Sequence, residues 1–198
     1  IFYLKYWINK MIGKHPLSNK DYPSMINTRH YQRIMDLMKH EKIVEGGYGD
    51  MRLKKIAPTI LVNVKEKSNV MQEEIFGPIL PVMTYDKLAD AIIYIRDHKK
   101  PLALYLFTEN DKVEQEVLSQ LSFGGGCIND TIIHLATSYL GFGGVGNSGM
   151  GSYHGKKSFD TFTHEKSIIK KSDKIDIPIR YMPYNKAKEQ LMKFFLKL

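Results

Sequence analysis

The chain has 198 residues, of which 43% are hydrophobic and 25% are charged, an ordinary globular composition that can bury a core without disulfides. Its single cysteine excludes an internal disulfide framework and a multi-cysteine metal site and is compatible with a reducing compartment, so we predict a cytoplasmic protein without a metal. The net charge of +8 comes from lysines spread along every segment without an interleaved aromatic motif, so we interpret it as solvated surface and predict no nucleic-acid partner.

The first half of the chain shows helix and strand patterns in turn. Residues 1–12 are apolar and aromatic with lysines between them and end at Gly13, which predicts a helix closed by a glycine. From Thr28 to His40, apolar residues recur every three or four positions, which predicts an amphipathic helix. Short apolar runs bounded by turn residues predict three strands, at residues 43–44, 60–64 and 79–83.

The second half alternates helices and strands more regularly. Helical spacing covers residues 87–99 and 113–121, and apolar runs at 102–107 and 126–129 predict buried strands. This alternation is typical of a parallel sheet with crossover helices, so the predicted fold class is α/β. In such sheets ligands bind beyond the carboxyl ends of the strands, where the loops after Asn129 lie.

Glycine is concentrated in these loops, since ten of the fifteen glycines fall between positions 124 and 155. The string Gly144-Val-Gly-Asn-Ser-Gly149 matches the G-x-G-x-x-G pattern that cradles a dinucleotide pyrophosphate. That motif needs a helix to open at its last glycine, and Gly151 and Gly155 would interrupt one. A glycine-rich structural turn is the simpler reading of the string alone.

Four motifs stand in order along the chain: Gln72-Glu-Glu-Ile-Phe-Gly-Pro78, Pro101-Leu-Ala-Leu-Tyr-Leu-Phe-Thr108, Gly125-Gly-Cys-Ile-Asn-Asp130 and Phe142-Gly-Gly-Val-Gly-Asn-Ser-Gly-Met-Gly-Ser-Tyr-His-Gly-Lys-Lys-Ser-Phe159. Together they resemble the aldehyde dehydrogenase superfamily, specifically its class 3 and fatty-aldehyde branch. The last motif is the most specific, and the resemblance runs from near Ile1 to about Tyr181.

The resemblance implies an enzyme that uses NAD or NADP to oxidise an aldehyde to a carboxylate, with homodimerisation as the family expectation. This sequence is similar to the carboxyl-terminal part of such an enzyme. The predicted divisions are a partial catalytic α/β domain at 1–157, a β-strand oligomerisation arm and its return at 158–184, and a helical tail at 185–198. The alternative is a truncated, non-catalytic dimerisation or binding module of the same fold.

In the family, the cofactor turn, the general-base glutamate and the nucleophilic cysteine precede the region that this sequence matches. We therefore expect no catalytic residue in this chain and no turnover by the chain alone. Cys127, its only thiol, has a nucleophilic reading, attack on an aldehyde as the thiolate. The resemblance instead places Cys127 in a strand that leads to the substrate loop, which favours a buried side chain without a catalytic role.

Glu74 and Phe76 are the predicted cofactor-binding residues, within the segment 72–78. By resemblance, Glu74 accepts hydrogen bonds from the nicotinamide ribose hydroxyls, and Phe76 packs beside that sugar and ring. A carboxylate is a natural acceptor for a vicinal diol, and such a charged hydrogen bond contributes roughly 1.5–3 kcal/mol. Without the resemblance, the two glutamates read as an acidic pair at the start of a short helix.

The resemblance also predicts a set of residues that line the aldehyde channel: Ile132, Leu135, Ala136, Phe142 and His154. Most are apolar, which favours medium to long aliphatic or aromatic aldehydes, since each buried methylene contributes about 0.8 kcal/mol. His154 also has a purely structural reading beside the glycines, and we assign it no proton transfer. The chain departs from the family pattern at Ala136, where a threonine is common, and at Gly141, where a proline is usual.

The end of the chain has two further patterns. Residues 158–164 and 167–170 alternate apolar and polar side chains and are predicted to lead into the oligomerisation strand. Residues 185–198 carry apolar side chains at helical spacing among lysines, which predicts a helix that docks on its own protein. No apolar run reaches the length that crosses a bilayer, so no transmembrane anchor is predicted.

Overall fold

The computed structural model describes residues 1–197, and the chain forms two compact units, Ile1–Asp97 and a second unit that begins at His98. The first unit contains α1 (Phe2–Ile12), α2 (Thr28–Leu37), β1 (Lys42–Glu45), β2 (Gly49–Asp50), β3 (Lys55–Ile56), β4 (Thr59–Val62), β5 (Ile79–Val82) and α3 (Leu88–Asp97). The second unit contains β6 (Ala103–Leu106), α4 (Asp111–Gln120), β7 (Gly125–Ile128), α5 (Gly155–Phe162) and α6 (Lys186–Leu196).

The core of the first unit forms where α2 packs on a three-stranded sheet. Strand β4 is central, with β5 parallel on one side and β1 antiparallel on the other. Leu61 of β4 and Ile34 of α2 belong to one buried cluster, and both are 0% exposed. Helix α2 begins where expected because the side-chain Oδ1 of Asn27 accepts a hydrogen bond from the backbone N of His30 at 2.9 Å. The predicted amphipathic helix is confirmed, although it ends at Leu37.

The second unit contains the predicted strand-helix-strand segment. Strands β6 and β7 are parallel, with Ala103 opposite Gly125, and α4 connects them. Asn110 caps α4 by accepting a hydrogen bond from the backbone N of Lys112 at 2.9 Å. Val117 is the buried residue of this helix. Parallel strand pairs with a crossover helix confirm the α/β class.

The predicted strand exit at 158–164 is wrong at its start, because α5 continues to Phe162. The Oγ of Ser158 accepts a hydrogen bond from the backbone N of His154 at 2.8 Å, which satisfies an amide at the start of the helix. Lys156 and Asp160 add an ion pair one turn apart at 2.6 Å. Among the described residues, 164–172 pair with no strand, so the oligomerisation arm stays a prediction.

Helix α6 occupies most of the predicted tail 185–198, whose last residue, Leu198, lies outside the described residues. The side chain of Asn185 caps the helix through the backbone N of Lys188 at 2.9 Å. None of the described residues of α6 is buried, and Phe194 is 76% exposed. The docking of the tail on its own protein stays a prediction; among the described residues, Nζ of Lys188 in α6 donates to the carbonyl O of Tyr181 at 2.9 Å.

Candidate functional site

The predicted cofactor-facing segment follows a 3₁₀ turn at Asn69–Met71 and precedes β5. No helix begins at its two glutamates, so the reading of an acidic pair at a helix start is wrong. Arg33 of α2 holds the segment through its main chain. Its Nη2 donates to the carbonyl O of Ile75 at 2.6 Å and its Nη1 to the carbonyl O of Glu74 at 3.3 Å. The same Nη1 lies 3.4 Å from Oε1 of Glu73.

The two predicted cofactor-binding side chains of this segment point to solvent. The carboxylate of Glu74 makes no hydrogen bond with any residue that the structure describes, and Phe76 is 78% exposed. Phe76 also has a left-handed backbone with φ +48°, which is uncommon for a bulky residue. Glu74 and Phe76 thus leave a hydrogen-bond acceptor and an aromatic ring exposed to solvent, two groups able to contact a ligand.

A polar cleft of about 670 Å³ borders this segment, between α2 and the residues from Asn69 to Glu73. Asp36 lies on its α2 wall, and hydrogen bonds from the side chains of Lys39 and Gln32 lower the pKa of its carboxyl group. The cleft therefore presents fixed charges of both signs, with Arg33 supplying a positive one.

The two glycine clusters of the second unit meet backbone to backbone. A Cβ on Gly124 would lie 2.3 Å from the carbonyl O of Gly143, closer than real Cβ atoms approach an oxygen. A Cβ on Gly143 would in turn lie 2.1 Å from the carbonyl O of Gly151. The clustering that marked this region in the sequence thus reflects close packing of loops.

The dinucleotide reading of Gly144–Gly149 is not supported by the local structure. Residues Gly146–Ser148 form a 3₁₀ turn, and no helix opens at Gly149. The Oγ of Ser148 accepts from the backbone N of Val145 at 3.0 Å and donates to its carbonyl O at 3.1 Å, which closes the loop on itself. The string forms a structural turn, as its simpler reading predicted.

Phe142 and His154 are brought together by a short antiparallel bridge. The backbone N of Phe142 donates to the carbonyl O of Tyr153 at 2.8 Å, and the reverse bond is 3.0 Å. The ring of His154 lies 4.5 Å from that of Tyr153 and 5.9 Å from that of Phe142, measured between centroids. An open cleft of about 420 Å³ lies beside Phe142 and Tyr153, with Met150 and Phe162 also on its walls.

The other three predicted channel residues lie at a 3₁₀ turn, Ile133–Leu135. Ile132 precedes the turn with φ +66° and is 62% exposed, and Ala136 follows it. Leu135 lies within the turn and is half-buried. The turn therefore presents apolar side chains to solvent on either side of its centre.

His134, at the centre of that turn, was not singled out by the sequence. It is 9% exposed, its Nδ1 lies 3.4 Å from the Sγ of Cys127 in β7, and its ring lies 6.0 Å from that of Phe142. Its Nε2 is buried and has no hydrogen-bond partner among the described residues. A histidine between Ile133 and Leu135, in an apolar run, is the only sequence signal for this contact.

Cys127 is half-buried in β7, as the strand assignment required, and its role stays a prediction. Within residues 1–197, no three His, Cys, Asp or Glu side chains are arranged to hold a metal ion. The same residues include no helix of sufficient length and apolar character to cross a bilayer.

Comparisons with known proteins agree on one family. The model of the "Aldehyde dehydrogenase family" matches residues 5–168. The chain is 48% identical over 166 residues to the dimeric NADP-preferring aldehyde dehydrogenase of Canis lupus familiaris, covering 84% of this chain and 37% of the relative. It is 45% identical over 195 residues to aldehyde dehydrogenase family 3 member A2 of Rattus norvegicus, covering 98% and 40%.

The fold agrees as well. The solved structure of the substrate-bound state of Staphylococcus aureus AldH superposes with a TM-score of 0.89 at 48% identity, covering 98% of this chain and 42% of that one. The chain thus spans about two fifths of the length of these relatives. With the match at 5–168 and the family 3 relatives, the chain belongs to the aldehyde dehydrogenase family, in its class 3 branch.

Proposed function

We propose that this chain is the carboxyl-terminal part of a NAD(P)-dependent aldehyde dehydrogenase that oxidises an aldehyde to a carboxylate. Beyond family membership, the observation that carries the proposal is the pair formed by Glu74 and Phe76. The carboxylate of Glu74 makes no hydrogen bond among the described residues, and the ring of Phe76, two positions later, is 78% exposed, on a segment that Arg33 of α2 holds from behind. Side chains left free in this way are available to a ligand.

Glu74 accepts hydrogen bonds from the ribose hydroxyls at the nicotinamide end of the cofactor. The ring of Phe76 packs beside that ribose and the nicotinamide ring. When bound, the nicotinamide supplies the hydride acceptor for aldehyde oxidation. The residues of this chain contribute orientation, because a dinucleotide held at its reactive end reaches the substrate in one pose. The nucleophile and the general base are expected upstream of the matched region, so the chain alone is expected to be inactive.

The substrate is a medium to long aliphatic or an aromatic aldehyde. Ile132, Leu135, Ala136 and Phe142 supply the apolar lining, and the bridge to Tyr153 sets the position of Phe142. His154 orients the substrate or packs beside it without moving a proton. Each methylene that such a lining removes from water contributes about 0.8 kcal/mol, so chain length should decide affinity.

NAD and NADP are both compatible with these residues. A relative named as NADP-preferring and dimeric supports testing NADP first, with a homodimer as the expected assembly. The predicted cytoplasmic location follows from the single cysteine and stays a prediction.

The test uses the full-length polypeptide that carries this sequence. Glu74→Gln should weaken NAD(P)+ binding or slow turnover about tenfold, since a charged hydrogen bond is worth about 1.5–3 kcal/mol and each 1.4 kcal/mol is one decade. Glu116→Gln is the control, because Glu116 is exposed on α4, its carboxylate accepts, among the described residues, only from Gln120 of the same helix at 3.4 Å, and its loss should matter little. Equal cofactor affinity in wild type and Glu74→Gln would remove the ribose assignment. NAD(P)H formation by residues 1–198 alone would contradict the expected upstream nucleophile.

A further inference from the structure

Arg33 is the single side chain of the first unit, among the described residues, that donates hydrogen bonds to the main chain of residues 73–76. Its guanidinium bonds two successive carbonyls, those of Glu74 and Ile75, and approaches the carboxylate of Glu73. Only 26% of its side chain is exposed, so water competes weakly for these bonds. A planar fork with several donors suits two neighbouring carbonyl acceptors.

The next residue of α2 fixes the other end of the same turn. Ile34 is 0% exposed and packs on Gly77 so closely that a Cβ there would lie 2.7 Å from the Cδ1 of Ile34. Ile75, which precedes Phe76, packs against the core cluster of the first unit. The turn is therefore anchored immediately before and immediately after Phe76.

Phe76 adopts φ +48° between these two anchors. A left-handed conformation is unfavourable for a residue with a large side chain, and it persists only where its surroundings enforce it. With Ile75 directed inward and Gly77 held against α2, the left-handed step at Phe76 turns its ring outward. Loss of the bonds from Arg33 removes one of the two anchors that hold Phe76 in this conformation.

We infer that Arg33 is a positioning residue for cofactor binding: it holds the main chain of Glu74 and Ile75, and this keeps the carboxylate of Glu74 and the ring of Phe76 presented to the nicotinamide ribose. The inference rests on the proposed function. It adds a residue on a different element, 41 positions before Glu74 in the chain, that acts on the cofactor through the turn.

The experiment measures equilibrium binding to the full-length polypeptide and its variants, with two probes. The dinucleotide NAD(P)+ engages the turn, whereas AMP lacks the nicotinamide ribose and does not. Arg33→Gln should raise the dissociation constant for NAD(P)+ about tenfold, as loss of charged hydrogen bonds predicts, and leave that for AMP unchanged. Arg33→Lys keeps the charge without the planar fork and should lie between wild type and Arg33→Gln.

Arg52→Gln is the matched control, since Arg52 is an arginine of the same unit with an ion pair to Asp50 at 3.7 Å and a side chain that is 94% exposed. It should bind both probes as wild type does. Equal weakening of NAD(P)+ and AMP by Arg33→Gln would indicate general damage to the fold and overturn the inference. Unchanged NAD(P)+ binding in Arg33→Gln also overturns the inference about Arg33. The binding measured for Glu74→Gln then shows whether the proposed cofactor role of Glu74 fails as well. Weakened binding in Glu74→Gln leaves the proposed function standing, and unchanged binding removes both.

Discussion

Asn129 connects the ends of β6 and β7, and its replacement tests how the substrate loops are supported. Its side-chain Oδ1 accepts from the backbone N of Thr108 at 2.8 Å, and its Nδ2 donates to the carbonyl O of Thr108 at 2.7 Å. Its own backbone N bonds to the carbonyl O of Leu106 at 2.8 Å. The amide side chain therefore extends the parallel ladder by one residue, at the point where the chain leaves β7 for the turn at 133–135.

The cost of Asn129→Ala has two parts. Each side-chain hydrogen bond contributes about 0.5–1.5 kcal/mol, and because the residue is exposed, water replaces part of this, which leaves about 1 kcal/mol for the pair. Asn129 has φ +57°, a conformation that asparagine tolerates and alanine does not, which adds about 1 kcal/mol. The expected total is about 2 kcal/mol. Asn129→Gly accepts the left-handed backbone and should cost about half as much.

Amide hydrogen exchange reports this locally. A loss of about 2 kcal/mol lowers protection about thirtyfold, and the amide of Thr108 should show it first because it loses its acceptor outright. The amide of Ile34 in α2 is the internal reference, since α2 belongs to the first unit and lies far along the chain from the lost bonds. Unchanged protection of the Thr108 amide in both variants, or an equal loss of its protection in the alanine and glycine variants, would refute this division of the cost between hydrogen bonds and backbone conformation.

Two further predictions concern the first and second units. Burial raises the pKa of Tyr22 to about 12 while its hydroxyl donates to the carbonyl O of Ile56, so between pH 10 and 12 the unfolded chain releases a proton that the folded chain keeps. Stability then falls as pH rises through this window, and denaturant melts should show the advantage of wild type over Tyr22→Phe shrinking there; parallel curves would contradict this. Gly143→Ala should expose the amide of Tyr153 to exchange, because its Cβ would lie 2.1 Å from the carbonyl O of Gly151. Ser152→Ala, a neighbouring change that adds no atom to the loop, should leave that amide protected; the opposite order would show that the backbone contact does not hold the bridge.

Elements with long apolar periodicity could be predicted from the sequence, because burial of one face decides them. Helix α2 and strand β4 are of this kind, and their residues Ile34 and Leu61 lie in the buried core. Helix α5 was missed because its short segment alternates apolar and polar residues in a way that satisfies both periods. Capping by Ser158 and the pair Lys156–Asp160 decide in favour of the helix, and these are single contacts that periodicity does not record.

The candidate site also contains residues that the sequence indicated and residues that it did not. The motif around Glu74 and Phe76 could be read from the sequence because such residues are matched by identity. The sequence did not indicate Arg33 or His134, since each acts on a partner distant along the chain or buried beneath the loop. An arginine on an amphipathic helix is interpreted as a surface residue until the carbonyls that it bonds are known.

The supports of both candidate segments act on the main chain, and this decides which substitutions each segment tolerates. Arg33 bonds carbonyl oxygens of the proposed cofactor-facing turn, and Phe142 and Tyr153 are joined by two backbone hydrogen bonds, with their rings in edge contact at 5.8 Å. Side chains presented by these segments are thus free to change without loss of the loop that carries them. It follows that exchanging Phe142 for another apolar residue alters the fit of an aldehyde while the bridge persists, whereas a change at Arg33 or Gly143 moves the segment and every side chain on it.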